Sequence, residues 1–242
     1  MAIGYLNHAE GSSSITLGSE SNAIGNYTGT FGHRDTASSA SGFGAWAIGY
    51  SCNATGDRSI AMGSAAKSSG TISFAVGDEA NASGSRSVAL GYQTTATGAN
   101  SMAVGFGATA SANDQFAARF VGGYTLGSNA GGTTGVTLAA NGTAWTSISD
   151  RRSKNSIASL SYGLSTVMAL RPTQYKYNGN ENTSLGFIAQ EVQAIVPEVV
   201  VQTGMGPDGD YLGVNYTELI PVLTKAIQEL KAENDALKAT LV

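Results

Sequence analysis

A single cysteine, Cys52, stands among the 242 residues, which excludes an intrachain disulfide and a Cys-based zinc site and leaves the fold without covalent staples. Charge is also scarce, and unevenly spread: residues 1–148 hold seven acidic and five basic side chains, residues 149–242 ten and eight. Two parts obeying different compositional rules are expected. The net charge is −4 with no Lys/Arg run, and the cluster Arg151, Arg152, Lys154 is too small a footprint for a nucleic-acid backbone, so nucleic acid is not expected as a partner. No apolar stretch is long enough to span a bilayer, which argues against membrane insertion. The opening MAIGYLNHAEG lacks the basic and apolar regions of a signal peptide. Met1 enters directly into a repeat, as expected of a C-terminal fragment of a longer chain.

Glycine is what the chain has in quantity, and it is periodic. Gly49, Gly63, Gly77, Gly91 and Gly105 form one 14-residue column, and Gly42, Gly56, Gly70, Gly84 and Gly98 a second, offset by seven. Earlier turns carry Gly4, Gly18 and Gly32, then Gly11 and Gly25, with a three-residue insertion between Gly32 and Gly49. A fixed period of this kind predicts a solenoid, here of roughly eight coils. Before each glycine of the first column the sequence alternates apolar, small, apolar, as in Trp46-Ala47-Ile48 and Phe74-Ala75-Val76, the mark of a short strand with one buried face. Glycine suits the sharp turn or close backbone approach that follows. At ~4.8 Å per coil, parallel stacking gives a rod about 40 Å long. Only two or three large apolar side chains per coil must offset about 1–2 kcal/mol of backbone ordering per residue, so lateral association is expected to supply further burial. A disordered Gly/Ser linker would not keep apolar alternation in phase with glycine.

The lines SIAMGSAAKSSG, SFAVGDEANASG and SVALGYQTTATG resemble the head repeats of trimeric autotransporter adhesins. The resemblance, over residues 1–112, implies a left-handed parallel β-roll in three copies. From Ala112 to Ile148 the period is lost, and strand-like pieces at 116–121 and 135–139, separated by Gly122-Gly123, Gly131-Gly132 and Asn141-Gly142, predict a β neck, residues 113–148.

Residues 149–242 read as an α+β domain. Ile157, Leu160, Leu164, Val167 and Met168 predict a first helix ended by Arg171-Pro172. A strand over 173–178 follows, with Tyr175 and Tyr177 on one face, then a short helix stopped by Pro197, then a hairpin pairing 199–203 with 211–216. At the end, Ile220, Leu223, Ile227, Leu230, Asn234, Leu237 and Leu241 alternate at spacings of three and four, a coiled-coil seam with Asn234 in its core. Isoleucine at a with leucine at d favours two strands by helix chemistry alone.

The blocks SDRRSKNSI, LRPTQYKYN, LGFIAQEVQAIVPEVV and VNYTELIPVLTKAIQELKAE resemble the intramolecular chaperone domain that ends phage tailspikes and tail fibres. That resemblance implies a homotrimer, with the seven seam residues as its trimerisation contacts. It also implies a self-cleaving serine peptidase that assembles three chains and then cuts itself away with a Ser-Lys dyad. Carried across, the cut bond is Ile148-Ser149, Ser149 is the nucleophile and Lys154 the general base; where the family has lysine-asparagine after the catalytic lysine, this chain has Asn155-Ser156.

A serine hydroxyl needs an adjacent base, and a lysine becomes one when desolvation or nearby positive charge favours its neutral form, a push that Arg151 and Arg152 could supply. On a straight helix, residues five apart point about 140° from each other, so the dyad needs a turn between its members or a lysine from another subunit. Ser149 followed by Asp150 also fits a helix N-cap. Asp150, Arg151, Arg152 and Gln190 are candidates to support the dyad, although Gln190 and Glu191 equally fit a short helix with an exposed polar face. His8 and His33, the latter beside Arg34-Asp35, read as surface residues of variable loops. Asp208 and Asp210 flank a turn glycine, too few carboxylates for a calcium loop, so no metal and no cofactor are expected.

The reading is thus a homotrimeric tail fibre or tailspike on the virion, with a rod that is structural or adhesive and a chaperone domain released in the host cytoplasm. A host cell-surface receptor, glycan or protein, is a candidate partner of the rod. The alternative is a bacterial trimeric surface adhesin whose C-terminal domain only trimerises. A glycan-degrading depolymerase finds no carboxylate pair in the rod.

Overall fold

The computed structural model describes residues 1–37, 43–131 and 133–241; Gly42 and Gly132 lie outside the described residues. The chain forms two compact units, Met1–Ser153 and Lys154–Val242.

The first unit is a parallel β-solenoid of about eight turns. Its long strands are β1 (Ala2–Tyr5), β3 (Ile15–Ser19), β5 (Gly29–His33), β7 (Trp46–Tyr50), β9 (Ile60–Ser64), β11 (Phe74–Asp78), β13 (Val88–Tyr92), β15 (Met102–Phe106) and β17 (Phe116–Arg119). Between them lie the two-residue strands β2 (His8–Ala9), β4 (Asn22–Ala23), β6 (Thr36–Ala37), β8 (Asn53–Ala54), β10 (Lys67–Ser68), β12 (Asn81–Ala82), β14 (Thr95–Ala96) and β16 (Thr109–Ala110). Long strands pair only with long and short with short, which makes two parallel sheets. Partners are one repeat apart, as in Gly63↔Gly77. Across the insertion His33 meets Tyr50, so the ladder keeps its phase.

The face that each coil buries is the small one. Ala47, Ala61, Ala75, Ala89 and Ala103 are 0% exposed and pack with Ala54, Ala82, Ala96 and Ala110 of the short strands. The flanking large residues Trp46, Ile60, Phe74, Val88 and Met102 are only half-buried on the outer face. A coil of 14 residues folded into two facing walls leaves a narrow bore, filled by Ala, Ser, Thr, Cys and Asp35. The hydrophobic contribution from within is therefore small, and the bulk of the apolar side-chain area points outward.

The glycine columns answer a second constraint. Gly77 has φ +132, and a Cβ there would stand 2.1 Å from the carbonyl oxygen of Gly91 in the next coil. Because each glycine is crowded by the coil that follows it, the last member of a column is released. A Cβ on Gly105 would meet the carbonyl of Arg119, and one on Gly98 that of Ala112; at those two positions no later coil is stacked and glycine is not needed. This is why the glycine period ends at 112 while the solenoid does not: β17 pairs with β15 in unbroken register, Met102↔Phe116 and Ala103↔Ala117.

Asp35, which follows His33-Arg34 in the sequence, is not a surface residue. It is 0% exposed in the bore, and its carboxylate accepts from the backbone amides of Gly49 and Cys52, both at 2.9 Å. Burial pushes its carboxyl upward against the pull of those two amides. His8 is exposed and His33 half-buried, and both lie in strands rather than loops.

After β17 the first unit closes with an antiparallel sheet of β18 (Gly123–Gly127), β19 (Gly135–Ala139) and β20 (Thr146–Ser147).

The second unit contains α1 (Leu164–Ala169), the antiparallel pair β21 (Thr173–Lys176) and β22 (Thr183–Gly186), α2 (Ala189–Gln193), the hairpin β23 (Val200–Gln202) and β24 (Leu212–Val214), and α3 (Leu219–Thr240). Its core gathers Val192, Val196, Val199 and Leu219 against Tyr162, Leu170 and Phe187. The helix expected from Ile157 begins only at Leu164, since Ser156 has φ 50 and Gly163 holds the N-cap in a non-helical conformation. The Glu229 carboxylate of α3 fills the space a Cβ on Gly163 would need and accepts the Leu164 amide at 2.7 Å. The first helix is thus started by tertiary structure, not by its own sequence. Pro197 opens a 3-10 turn, Pro197–Val199, instead of terminating α2 directly.

Gly77→Ala is expected to cost roughly 2–5 kcal/mol per chain through left-handed strain and overpacking. Gly122→Ala, where a Cβ meets nothing within 4 Å, is expected to leave the melting temperature unchanged. Thermal circular dichroism of the two variants checks the pair.

Candidate functional site

The candidate cleavage site lies where the antiparallel sheet runs out. β20 is the edge strand, with Val136↔Ser147 and Thr137↔Thr146 in register, and the Ile148 amide extends the pairing by donating to the Gly135 carbonyl at 3.2 Å. Ser149 follows, exposed, before a 3-10 turn formed by Arg151–Ser153. Ser149 does not open an α-helix, so the N-cap alternative has no long helix to cap.

The turn is built by Asp150. One carboxylate oxygen accepts the Arg152 backbone amide at 2.8 Å and Nε at 3.0 Å, and the other accepts Nη2 at 2.8 Å. The Asp150 carbonyl accepts both the Ser153 amide at 3.0 Å and its hydroxyl at 2.7 Å. The Arg152 guanidinium, followed by its backbone amide, holds the Asp150 carboxyl below the usual carboxylate range, and Asp150 raises Arg152 in turn. Ser153 was not singled out in the sequence, although an Asp with a serine three residues on is a turn signal. A turn thus stands between Ser149 and Lys154 in the sequence. Lys154, exposed, is the first residue of the second unit, whereas Ser149 ends within the first.

The structure gathers Asp150, Arg152 and Ser153 into one turn, with Arg151 exposed on it. Gln190 stands exposed on α2 in the second unit, and beside it Glu191 pairs with Arg171, whose guanidinium holds that carboxyl below its ordinary value. Glu191 therefore ties α2 to the segment before β21.

On α3 two faces separate cleanly. Leu219, Val222 and Ala226 are buried against their own unit, whereas Ile220, Leu223, Ile227, Leu230 and Leu237 are between 47% and 66% exposed. The residues expected from heptad spacing form an exposed apolar stripe interrupted by Asn234, with Leu241 at the helix C-cap. Among the described residues no cluster of His, Cys, Asp and Glu is disposed to hold a metal, and no helix is long and apolar enough to cross a membrane.

With this geometry in place, the comparisons with known families are specific. Residues 149–201 match a peptidase family described as the chaperone of endosialidase. Residues 40–66, 54–80, 68–94 and 96–114 match the YadA head domain repeat. The chain thus joins head repeats to a chaperone domain, a combination that supports a trimeric fibre or adhesin. No curated protein matches the chain.

The cap on α1 gives a pH test. The Leu164 amide, and also the Lys225 side chain, hold the Glu229 carboxyl below its ordinary value. A depressed carboxylate stabilises the fold above the unfolded value of about 4.3 and loses that contribution as pH falls through the lower folded value. Glu229→Ala is expected to lower the stability of the second unit at neutral pH and to flatten the acid limb of its unfolding curve, measured by thermal melts between neutral pH and the acid range.

Proposed function

We propose that the chain is a subunit of a homotrimeric phage tail fibre or tailspike, in which residues 149–242 assist folding and trimerisation and then release themselves by cutting Ile148-Ser149. The observation that carries this reading is the coincidence of boundaries: the match to the chaperone family begins at Ser149, the residue that follows the last pairing of the antiparallel sheet. The exposed apolar stripe of α3 and the outward apolar column of the rod support three-way association, since both leave large side chains in water in a single chain.

The chemistry is an acyl shift followed by hydrolysis. Lys154 takes the proton of the Ser149 hydroxyl as Oγ attacks the Ile148 carbonyl carbon. The tetrahedral intermediate collapses with rupture of the Ile148–Ser149 C–N bond, and the Ser149 nitrogen accepts the proton and leaves as a free amine. The Ile148 acyl group then sits as an ester on Oγ. Water hydrolyses it, which restores the hydroxyl and leaves a carboxylate at Ile148. Orientation within the assembled trimer supplies the effective concentration that this step needs, so monomers stay whole. The cut would release the chaperone domain in the host cytoplasm, with the rod remaining on the virion to meet a host surface.

The YadA-type repeats favour a second reading, a bacterial surface adhesin whose terminal domain trimerises without cutting. Intact mass of the purified chain separates the two: a fragment beginning at Ser149 is expected for the first, and a persistently whole wild-type trimer for the second. Ser149→Ala is expected to abolish the fragment while leaving the trimer intact. Placing aspartate at both Ile227 and Leu230 is expected to shift the native mass from trimer to monomer and to suppress cutting with it.

A further inference from the structure

The bond proposed to break is held from both sides by different devices. On the acyl side, Ile148 is pinned to the sheet through its amide and the Gly135 carbonyl, 3.2 Å apart. On the amine side the chain is reversed at once by the Asp150 carboxylate and carbonyl, which together take five donors from Arg152 and Ser153. Ser149 is the one residue between these anchors. Resting on the autoproteolytic reading above, we propose that Asp150 is a positioning residue for self-cleavage, acting by closing the backbone turn that brings the chain after Ser149 back toward it, and that its ion pair with Arg152 is secondary.

The two contributions are separable on physical grounds. Arg152 is 91% exposed at its side chain, and exposed ion pairs add little in water. The bond from the Arg152 amide to Oδ1, by contrast, fixes backbone direction within two residues, as aspartate and asparagine side chains do in turns. Asparagine retains that acceptor and lacks the second oxygen that meets Nη2. Alanine retains neither. A misplacement of about 1 Å in a reacting pair costs on the order of 100-fold in rate, so loss of the turn is expected to be visible in cleavage long before it is visible in folding.

The experiment follows the appearance of the fragment beginning at Ser149 in full-length wild type, Asp150→Ala, Asp150→Asn, Arg152→Ala and Ser149→Ala, with trimer content read by native mass. Asp150→Ala is expected to slow cleavage by roughly 10- to 100-fold, with Asp150→Asn and Arg152→Ala within about threefold of wild type and all trimers intact. Wild-type speed in Asp150→Ala overturns the inference. So does an Asp150→Asn variant as slow as Asp150→Ala, and so does loss of the trimer alongside loss of cleavage, since the residue would then act on assembly. A wild-type chain that stays whole removes the self-cleavage reading and this inference together, which distinguishes that failure from the others.

Discussion

Close parallel stacking of 14-residue coils is the constraint from which the rest of this structure follows. Backbone approaches backbone so tightly along the glycine columns that a single added carbon would collide with a carbonyl of the next coil, and the bore between the two walls is lined by alanine and other small residues. Such a rod is rich in backbone hydrogen bonds and poor in buried apolar area. Its large side chains have no inside to go to. They line the outer face, where only another surface can remove them from water.

On the proposed function, that imbalance is what the second unit answers. A solenoid that gains little until it associates is slow to register correctly with its neighbours and exposes strand edges while it waits. A compact domain that folds around its own core of Val192, Val196, Val199 and Leu219, and presents one apolar helix face for pairing, can bring chains together independently of the rod. On the proposed function, a domain that assembles the rod has no further structural task once the rod is laterally packed, which is the physical logic for a cut at the junction. The two faces of α3 embody this division: one is committed to the domain and the other is left for partners.

The junction itself is locally determined. An edge strand, a backbone bond from Ile148 to Gly135, and a turn knotted by Asp150 succeed one another within a few residues. Little of this depends on distant packing, and the residue types Ser-Asp-Arg-Arg-Ser are those whose side chains compete for nearby backbone groups. The turn that follows Ser149 is therefore a local feature, although its anchor at Ser153 was not read from the sequence.

What the sequence by itself determined is the repeat, its phase, the hairpin near the C-terminus and the heptad spacing of the last helix, because each is written in residue spacing or in turn chemistry that acts over a few positions. What only the tertiary structure decided is of a different kind. The burial of the alanines in place of the larger residues depends on the width of the bore, and the seat of Asp35 inside it depends on amides from the neighbouring coil. The continuation of the solenoid past residue 112 without glycine depends on there being no later coil to collide with. The late start of α1 depends on a carboxylate, Glu229, that lies 65 residues away and supplies the cap its own serine-rich approach does not. Spacing along a chain encodes direction and period; it does not encode how much room a neighbouring segment leaves, or which donor it brings.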